Sequence, residues 1–393
     1  MKVETPHHPD GLYVHVPFCD GKCPYCAFYS VPFSSGGAED WIRAVLVELV
    51  SERAAWPELR PVTVYIGGGT PSLLSDDLWS RLSEALHKAF DFSSVTEWTV
   101  ESNPGSLTPA RLACWKKTGV NRISLGVQAM DDDILRRLGR RNTVAQVREA
   151  VAAIGAAGFD NWGLDLIACV PGVGPARWAA TLDAALELHP QHMSVYALTV
   201  EEGAKLAREQ AAGRFTPLSD GRQLARLAMA EARLVKAGFT RYEISNYALP
   251  GCECRHNLAV WRGGDYLGLG PAAASHCGGR RWTNAADVAA YGAALMPSGA
   301  RPALALPREV ESLSTEAQAL DRLIFGLRTA EGVGLYELEH RYALPPAGAV
   351  LSQWRSTLLQ LAGIGVVVEA NGIWRLTARG GEVADSVAVE LMA

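Results

Sequence analysis

The sequence predicts an α/β fold: an open, partial (β/α)6 barrel followed by a C-terminal winged-helix-like α+β module. Three observations predict it. Short β-branched runs alternate with amphipathic stretches from Leu12 to about Thr199; the strand candidates number six, short of the eight of a closed (β/α)8 barrel; and from about Pro307 the pattern changes to three helical segments and a hairpin.

The strand candidates, in order, are Leu12–Val16, Val62–Ile66, Trp98–Val100, Arg122–Val127, Trp162–Ile167 and Met193–Ala197. Between them lie the helical segments Trp41–Arg53, Leu78–Phe90, Pro109–Lys117, Ala145–Ala157 and Ala176–Leu188. Strands separated by helices at this rhythm mean βαβ units and a parallel sheet. After Pro307, Glu316–Leu327, Leu335–Tyr342 and Val350–Leu361 read as helices, and Val366–Glu369 and Ile373–Leu376 flank the hairpin signal Asn371-Gly372. The expected boundaries are 1–235 for the barrel, 236–300 for an extension and 301–393 for the C-terminal module.

One spacing carries the chemistry. Cys19-x-x-x-Cys23-x-x-Cys26 starts just after the first strand candidate, with only Pro17 and Phe18 between. Three thiols on one loop can face a 4Fe-4S cluster and leave one iron open to a chelating small molecule. The competing readings are a disulfide framework and a zinc knuckle. A chain of 393 residues, 48% apolar, buries a large core without disulfide staples. Structural zinc takes four ligands, usually from two C-x-x-C pairs, and no matching second pair is present. Met1 to Asp10 has no apolar signal-like core and no apolar run reaches about 18 residues, so a reduced, cytoplasmic chain is expected. The balance of 37 basic against 42 acidic residues, a net charge of −5 spread along the chain, argues against nucleic acid as a partner. The third C-terminal helix offers only Arg355 as a base, too little for a recognition helix.

In open α/β folds ligands gather at the carboxyl ends of the strands. The cysteine loop follows the first strand, Gly67-Gly68-Gly69-Thr70-Pro71 the second, Glu101-Ser102-Asn103-Pro104 the third and Gln128 the fourth, while Asp165 lies in the fifth. The glycine turn is either a tight connection or a place where backbone approaches a ligand, with amides and the Thr70 hydroxyl as donors. Glu101 either caps the helix starting near Thr108 or receives an ammonium or hydroxyls. Arg140 belongs to the basic group Arg136-Arg137-x-x-Arg140-Arg141, ordinarily a solvated helix face. Cys114 and Cys169 read as buried small residues.

Read together, these blocks carry a family resemblance. The cysteine spacing, with Tyr25 before the last thiol, is similar to the signature of radical S-adenosylmethionine (SAM) proteins, to which the partial barrel also belongs. More narrowly, the chain resembles the subgroup of oxygen-independent coproporphyrinogen III oxidase and the HemW-type heme chaperones. The matching blocks are Tyr13-Val14-His15-Val16-Pro17-Phe18-Cys19, Gly67 to Ser72, Glu101 to Pro104, Ser124-Leu125-Gly126-Val127-Gln128, Asp165-Leu166-Ile167 and Tyr242-Glu243-Ile244-Ser245-Asn246. The resemblance implies that Cys19, Cys23 and Cys26 hold a 4Fe-4S cluster whose open iron is chelated by SAM, with Tyr13, Tyr25, Gly68, Gly69, Thr70 and Glu101 around it. Gln128, Arg140 and Asp165 match positions that contact SAM in the oxidase, where a second SAM is also bound.

Two features favour the chaperones. The oxidase pattern carries a further cysteine where this chain has Phe28, and a long segment ahead of its cluster strand that has little room here. Arg255-His256-Asn257-Leu258-Ala259-Val260-Trp261 resembles the H-N-x-x-Y-W segment implicated in heme binding, with Val260 at the tyrosine; His256 is the expected heme contact, with Cys254 and His276 as alternatives. Ala274 stands at a histidine of the related G-x-G-x-G-A-H-G stretch. A second metal site from Cys252, Cys254, Cys277, His256 and His276 is chemically conceivable but not expected. The resemblance thus implies a chaperone that binds heme and passes it to an acceptor protein, a respiratory protein being one candidate, with peripheral membrane contact through that acceptor. The alternatives within the scaffold are radical decarboxylation of coproporphyrinogen III and SAM-dependent methylation and opening of heme.

Overall fold

The computed structural model describes residues 9–296, 306–345 and 348–393. The expected boundary at 300/301 and most of the Met1–Asp10 segment lie outside them. The strands are β1 (Gly11–Val16), β2 (Phe18–Cys19), β3 (Val31–Pro32), β4 (Thr63–Gly68), β5 (Glu97–Ser102), β6 (Arg122–Gln128), β7 (Trp162–Ala168) and β8 (His192–Ala197). They continue as β9 (Thr240–Arg241), β10 (Asn246–Ala248), β11 (Tyr266–Leu269), β12 (Ala274–Cys277), β13 (Arg280–Asn284) and β14 (Arg308–Ser312). The C-terminal strands are β15 (Val333–Gly334), β16 (Val367–Ala370) and β17 (Ile373–Leu376).

The six expected strands, β1 and β4 to β8, are neighbours in one parallel sheet. Several run further than their β-branched cores. Gly68 pairs with Val16, Glu101 with Ser124 and, past a bulge, Gln128 with Leu166. Gly68, Glu101 and Gln128 therefore end strands rather than begin loops, because the ladder of neighbouring strands overrides their weak β-propensity.

A seventh parallel strand was not expected. Tyr266 to Leu269 of β11 pairs with Gly11 to Val14 on the outer edge of β1. Antiparallel strands β12 to β14 then extend that edge, and β10 and β9 extend the other beyond β8, giving this sheet twelve strands among the described residues. Tyr266-Leu267-Gly268-Leu269 is short and interrupted by glycine, which weakens a strand signal. The glycine is required by close packing: a Cβ on Gly268 would stand 2.1 Å from the Ala274 carbonyl oxygen. Gly268→Ala is expected to lower stability by about 2 kcal/mol through this overpacking, read as a lower denaturation midpoint with unchanged slope.

The expected helices form as Ser35–Ala55, Asp76–Ala89, Pro109–Thr118, Val144–Ala156 and Pro175–Leu186. Local chemistry sets their starts. Ser75, Thr108 and Thr143 each accept a backbone N–H three residues on, and Gln146 completes a capping box with Thr143. Asp220–Lys236 packs on β8 and on helix Pro175–Leu186, adding a sixth helix to the outer layer.

Alternation along the strands separates two faces. Leu12, Val14, Val16, Val64, Ile66, Trp98, Val100, Ile123, Leu125, Leu164 and Leu166 pack under the helices as the main core. The other face carries Tyr13, His15, Tyr65, Thr99, Glu101, Arg122, Ser124, Asp165, His192 and Ser194. A curved sheet with such an inner face is lined for polar ligands rather than filled with branched side chains.

The C-terminal residues have a core of their own. Leu323, Leu327, Leu338, Trp354, Leu358 and Trp374 are among its members. Helices Thr315–Leu327, Leu335–Arg341 and Ala349–Gly363 precede the β16–β17 hairpin, to which β15 adds a third strand. This is the expected winged-helix-like arrangement, followed by helices Ala378–Glu382 and Ala384–Met392.

Candidate functional site

The carboxyl ends of the parallel strands bring the cysteine loop and the glycine motif together. Cys19 lies in β2, which pairs with β3, so residues 18 to 33 form a loop closed at its base. Val31 N–H donates to Pro17 O at 2.7 Å and Phe33 N–H to Cys19 O at 2.9 Å, while Cys26 N–H closes a turn on Cys23 O at 3.2 Å. Cys19, Cys23 and Cys26 are free thiols, each partly exposed. Burial raises Cys26, the nearby Cys23 and Cys19 adding to the rise.

Groups from connections further along the chain meet these sulfurs. Thr70 Oγ1 donates to Cys19 Sγ at 3.6 Å. Arg140 Nη1 donates to Cys23 Sγ at 3.9 Å and Nη2 to Gly126 O at 2.7 Å, while its buried Nε has no partner. Arg140 is thus not on a solvated helix face. The helix ends at Arg137 and the chain turns this guanidinium inward, onto the Cys23 sulfur and the Gly126 carbonyl. Tyr25 packs beside Cys23, its phenol raised far above its ordinary range mainly by burial.

On the glycine motif, Gly68 adopts φ +104, and a Cβ there would stand 2.5 Å from the His15 ring. Gly69 N–H donates to Val16 O at 2.8 Å, fastening the motif to β1. His15 Nε2 bonds the Tyr29 carbonyl at 3.0 Å; a carbonyl only accepts, so Nε2 carries the proton and Nδ1 accepts from Tyr13 OH at 3.0 Å. Burial lowers His15 and keeps it neutral. One imidazole therefore ties β1, the end of the cysteine loop and the glycine motif together. His15 was legible only as part of a matching block, with no role read for it.

Glu101 does not cap the helix near Thr108, which Thr108 itself caps. Its Oε1 accepts from Tyr65 OH at 2.7 Å and its Oε2 from Gly68 N at 3.0 Å. Burial pushes it up to about 7. Asp165 is likewise raised by burial, against the pull of Ser194, Arg122, Arg140 and Ser124. Gln128 stands at the bulge in a left-handed conformation, φ 70. Tyr13, Tyr25, Gly68, Gly69, Thr70, Glu101, Gln128, Arg140 and Asp165 thus belong to the inner face or carboxyl rim. Tyr65 was missed; its signal is register, since it pairs with Tyr13 across neighbouring strands.

His256 lies elsewhere. It is 6% exposed on helix Arg255–Trp261, its Nδ1 2.9 Å from the hydroxyl of Thr63, the first residue of β4. Glu97, the first residue of β5, accepts from Arg255 N–H at 2.9 Å and His256 N–H at 3.0 Å. This helix closes the amino-terminal floor, at the opposite end of the strands from the cysteines. Burial lowers His256 to about 4, so the imidazole is neutral. Cys254 is pushed up to about 12 by burial and stays a thiol beside Glu97. His276, on β12, pairs with Asp265 at 3.1 Å. Tyr242 belongs to the floor too, its hydroxyl 2.7 Å from His192 Nε2 and accepting Cys254 N–H at 3.3 Å. Of the other cysteines, Cys169 is buried as expected, whereas Cys114 is only partly buried, packing against the edge of the core beside Ser80 of the neighbouring helix.

Among the described residues no three His, Cys, Asp or Glu side chains are gathered closely enough to hold one metal ion.

The Radical SAM superfamily model matches residues 13–185 and the HemN C-terminal domain model residues 313–383. The heme chaperone HemW of Mycobacterium tuberculosis is 34% identical over 336 residues, 85% of each chain. That of Bacillus subtilis is 30% identical over 372 residues, 94% of this chain and 95% of its own. The chain belongs to the HemW family of radical SAM proteins. The coproporphyrinogen III oxidase HemN of Escherichia coli has the same fold, with a TM-score of 0.84 over 99% of this chain and 91% of its own, at 22% identity. Against that shared scaffold, Phe28 stands 70% exposed on the cysteine loop of this HemW-family chain. No helix of the described residues is long and apolar enough to cross a membrane.

Proposed function

We propose that this chain is a cytoplasmic heme chaperone that carries a SAM-ligated 4Fe-4S cluster at its carboxyl rim and passes heme to an acceptor protein. The observation that carries the reading is the likeness to HemW chaperones across most of both chains. Cys19, Cys23 and Cys26 hold the cluster, with Arg140 and Thr70 beside two of the sulfurs. The cluster, when bound, supplies an open iron for chelation and an electron for SAM. Tyr13, Tyr25, Gly68, Gly69, Thr70 and Glu101 surround that ligand. Gln128, Arg140 and Asp165 lie further along the same rim and inner face.

His256 is the proposed heme contact. Its imidazole is neutral, the protonation state that ligates iron. It is also buried, so contact requires the seven-residue helix Arg255–Trp261 to lift from the floor. Cys254 suits the role less, since a thiol held protonated is a poor thiolate ligand.

Heme titration of reconstituted wild type against His256→Ala tests this. Wild type is expected to bind heme in near-equal stoichiometry and the variant about tenfold more weakly, with a changed Soret band. Wild type that binds no heme defeats the chaperone reading. Anaerobic incubation with reductant, SAM and coproporphyrinogen III is expected to leave the porphyrinogen intact; its conversion to protoporphyrinogen would establish the oxidase instead.

A further inference from the structure

Resting on the reading that the carboxyl rim holds SAM, we infer that Tyr65 is the positioning residue that sets the Glu101 carboxylate for the ligand. Its hydroxyl donates to Oε1 at 2.7 Å while Gly68 N–H donates to Oε2 at 3.0 Å. One strand, β4, thus grips both oxygens of a side chain from its neighbour β5, and each oxygen retains a lone pair for a ligand's ammonium or hydroxyl. Gly67 makes room for this grip. A Cβ there would stand 2.8 Å from the carboxyl carbon of Glu101 and 2.9 Å from Tyr65 Cε1.

The same hydroxyl acts on charge. Glu101 is pushed up to about 7 chiefly by burial, with the Tyr65 hydrogen bond opposing the rise, Asp165 on β7 adding to it, and Gly68 N–H and Arg122 on β6 lowering it. Tyr13 on β1 and Tyr196 on β8 also face it, the Tyr13 phenol neutral because burial raises it far above its ordinary range. A hydrogen bond donated to a carboxylate favours its ionised form. Removing the donor therefore raises Glu101 further and leaves less carboxylate at neutral pH.

Binding of SAM to anaerobically reconstituted protein, followed from about pH 6 to 8.5, tests the assignment. In wild type, affinity is expected to rise with pH as Glu101 ionises. In Tyr65→Phe, which keeps the ring contacts with Tyr13 and His256, the midpoint is expected to move up by about one pH unit, weakening binding about fivefold at pH 7. Glu101→Gln should flatten the pH dependence, and Tyr65→Phe added to it should change nothing further. An unchanged midpoint in Tyr65→Phe, or an equal loss on the Glu101→Gln background, overturns the role of Tyr65 while leaving the SAM reading intact. Wild type that binds no SAM at any pH overturns that reading and this inference with it.

Discussion

Replacing Cys19, Cys23 and Cys26 together by alanine is expected to leave a folded chain that retains no cluster iron. The fold should survive because the thiols form no disulfides and are partly exposed. The loop is closed by backbone pairing of β2 with β3 and by the bonds from Val31 and Phe33, which do not involve sulfur. The cluster should not survive, since these thiolates are its proposed protein ligands. Iron and sulfide content after anaerobic reconstitution should fall to background, while circular dichroism and the denaturation midpoint stay near wild type. SAM affinity should fall at least about tenfold, or about 1.4 kcal/mol, because chelation to the open iron is lost. Iron retained in full stoichiometry would remove the loop from the metal site. A single Arg140→Met change should act more mildly: it removes the cation next to Cys23 but no ligand.

How much of this was legible in the sequence differs between rim and floor. The rim was readable because its residues fall at the ends of β-branched runs, where a parallel sheet must gather them. Cys19, Gly68, Thr70 and Glu101 were placed by that rule, whereas Asp165 lies mid-strand in β7. What was not readable is pairing at a distance. Tyr65 matters through a hydroxyl that reaches Glu101, 36 residues away. β11 forms because Gly268 admits the Ala274 carbonyl, and periodicity carries no trace of that packing. The floor was least legible. His256 reads from sequence as the expected heme contact of its segment, and nothing local shows that Thr63 and Glu97, 193 and 159 positions away, hold its ring and its amide.

Glu97→Ala is expected to be the most destabilising single change in the chain, at roughly 3–5 kcal/mol. The carboxylate is 3% exposed and faces Arg122, 1% exposed, at 4.0 Å. It also accepts from Cys254 Sγ, Arg255 N–H and His256 N–H, the donors that seat the floor helix. Removing it strands a buried guanidinium whose Nε already lacks a hydrogen bond, together with the first amides of that helix. Glu97→Gln keeps an acceptor and should cost less. Arg122→Met in combination with Glu97→Gln should recover part of the loss, because the two buried charges leave together. Denaturant unfolding measures all of this; a loss below about 1 kcal/mol in Glu97→Ala would show that the floor does not depend on the pair. The same variants separate two roles for His256. An imidazole that only braces the floor loses stability in Glu97→Gln and nothing else. An imidazole that meets heme when its helix lifts should, in that variant, bind heme faster, because the contact holding the helix down has been weakened.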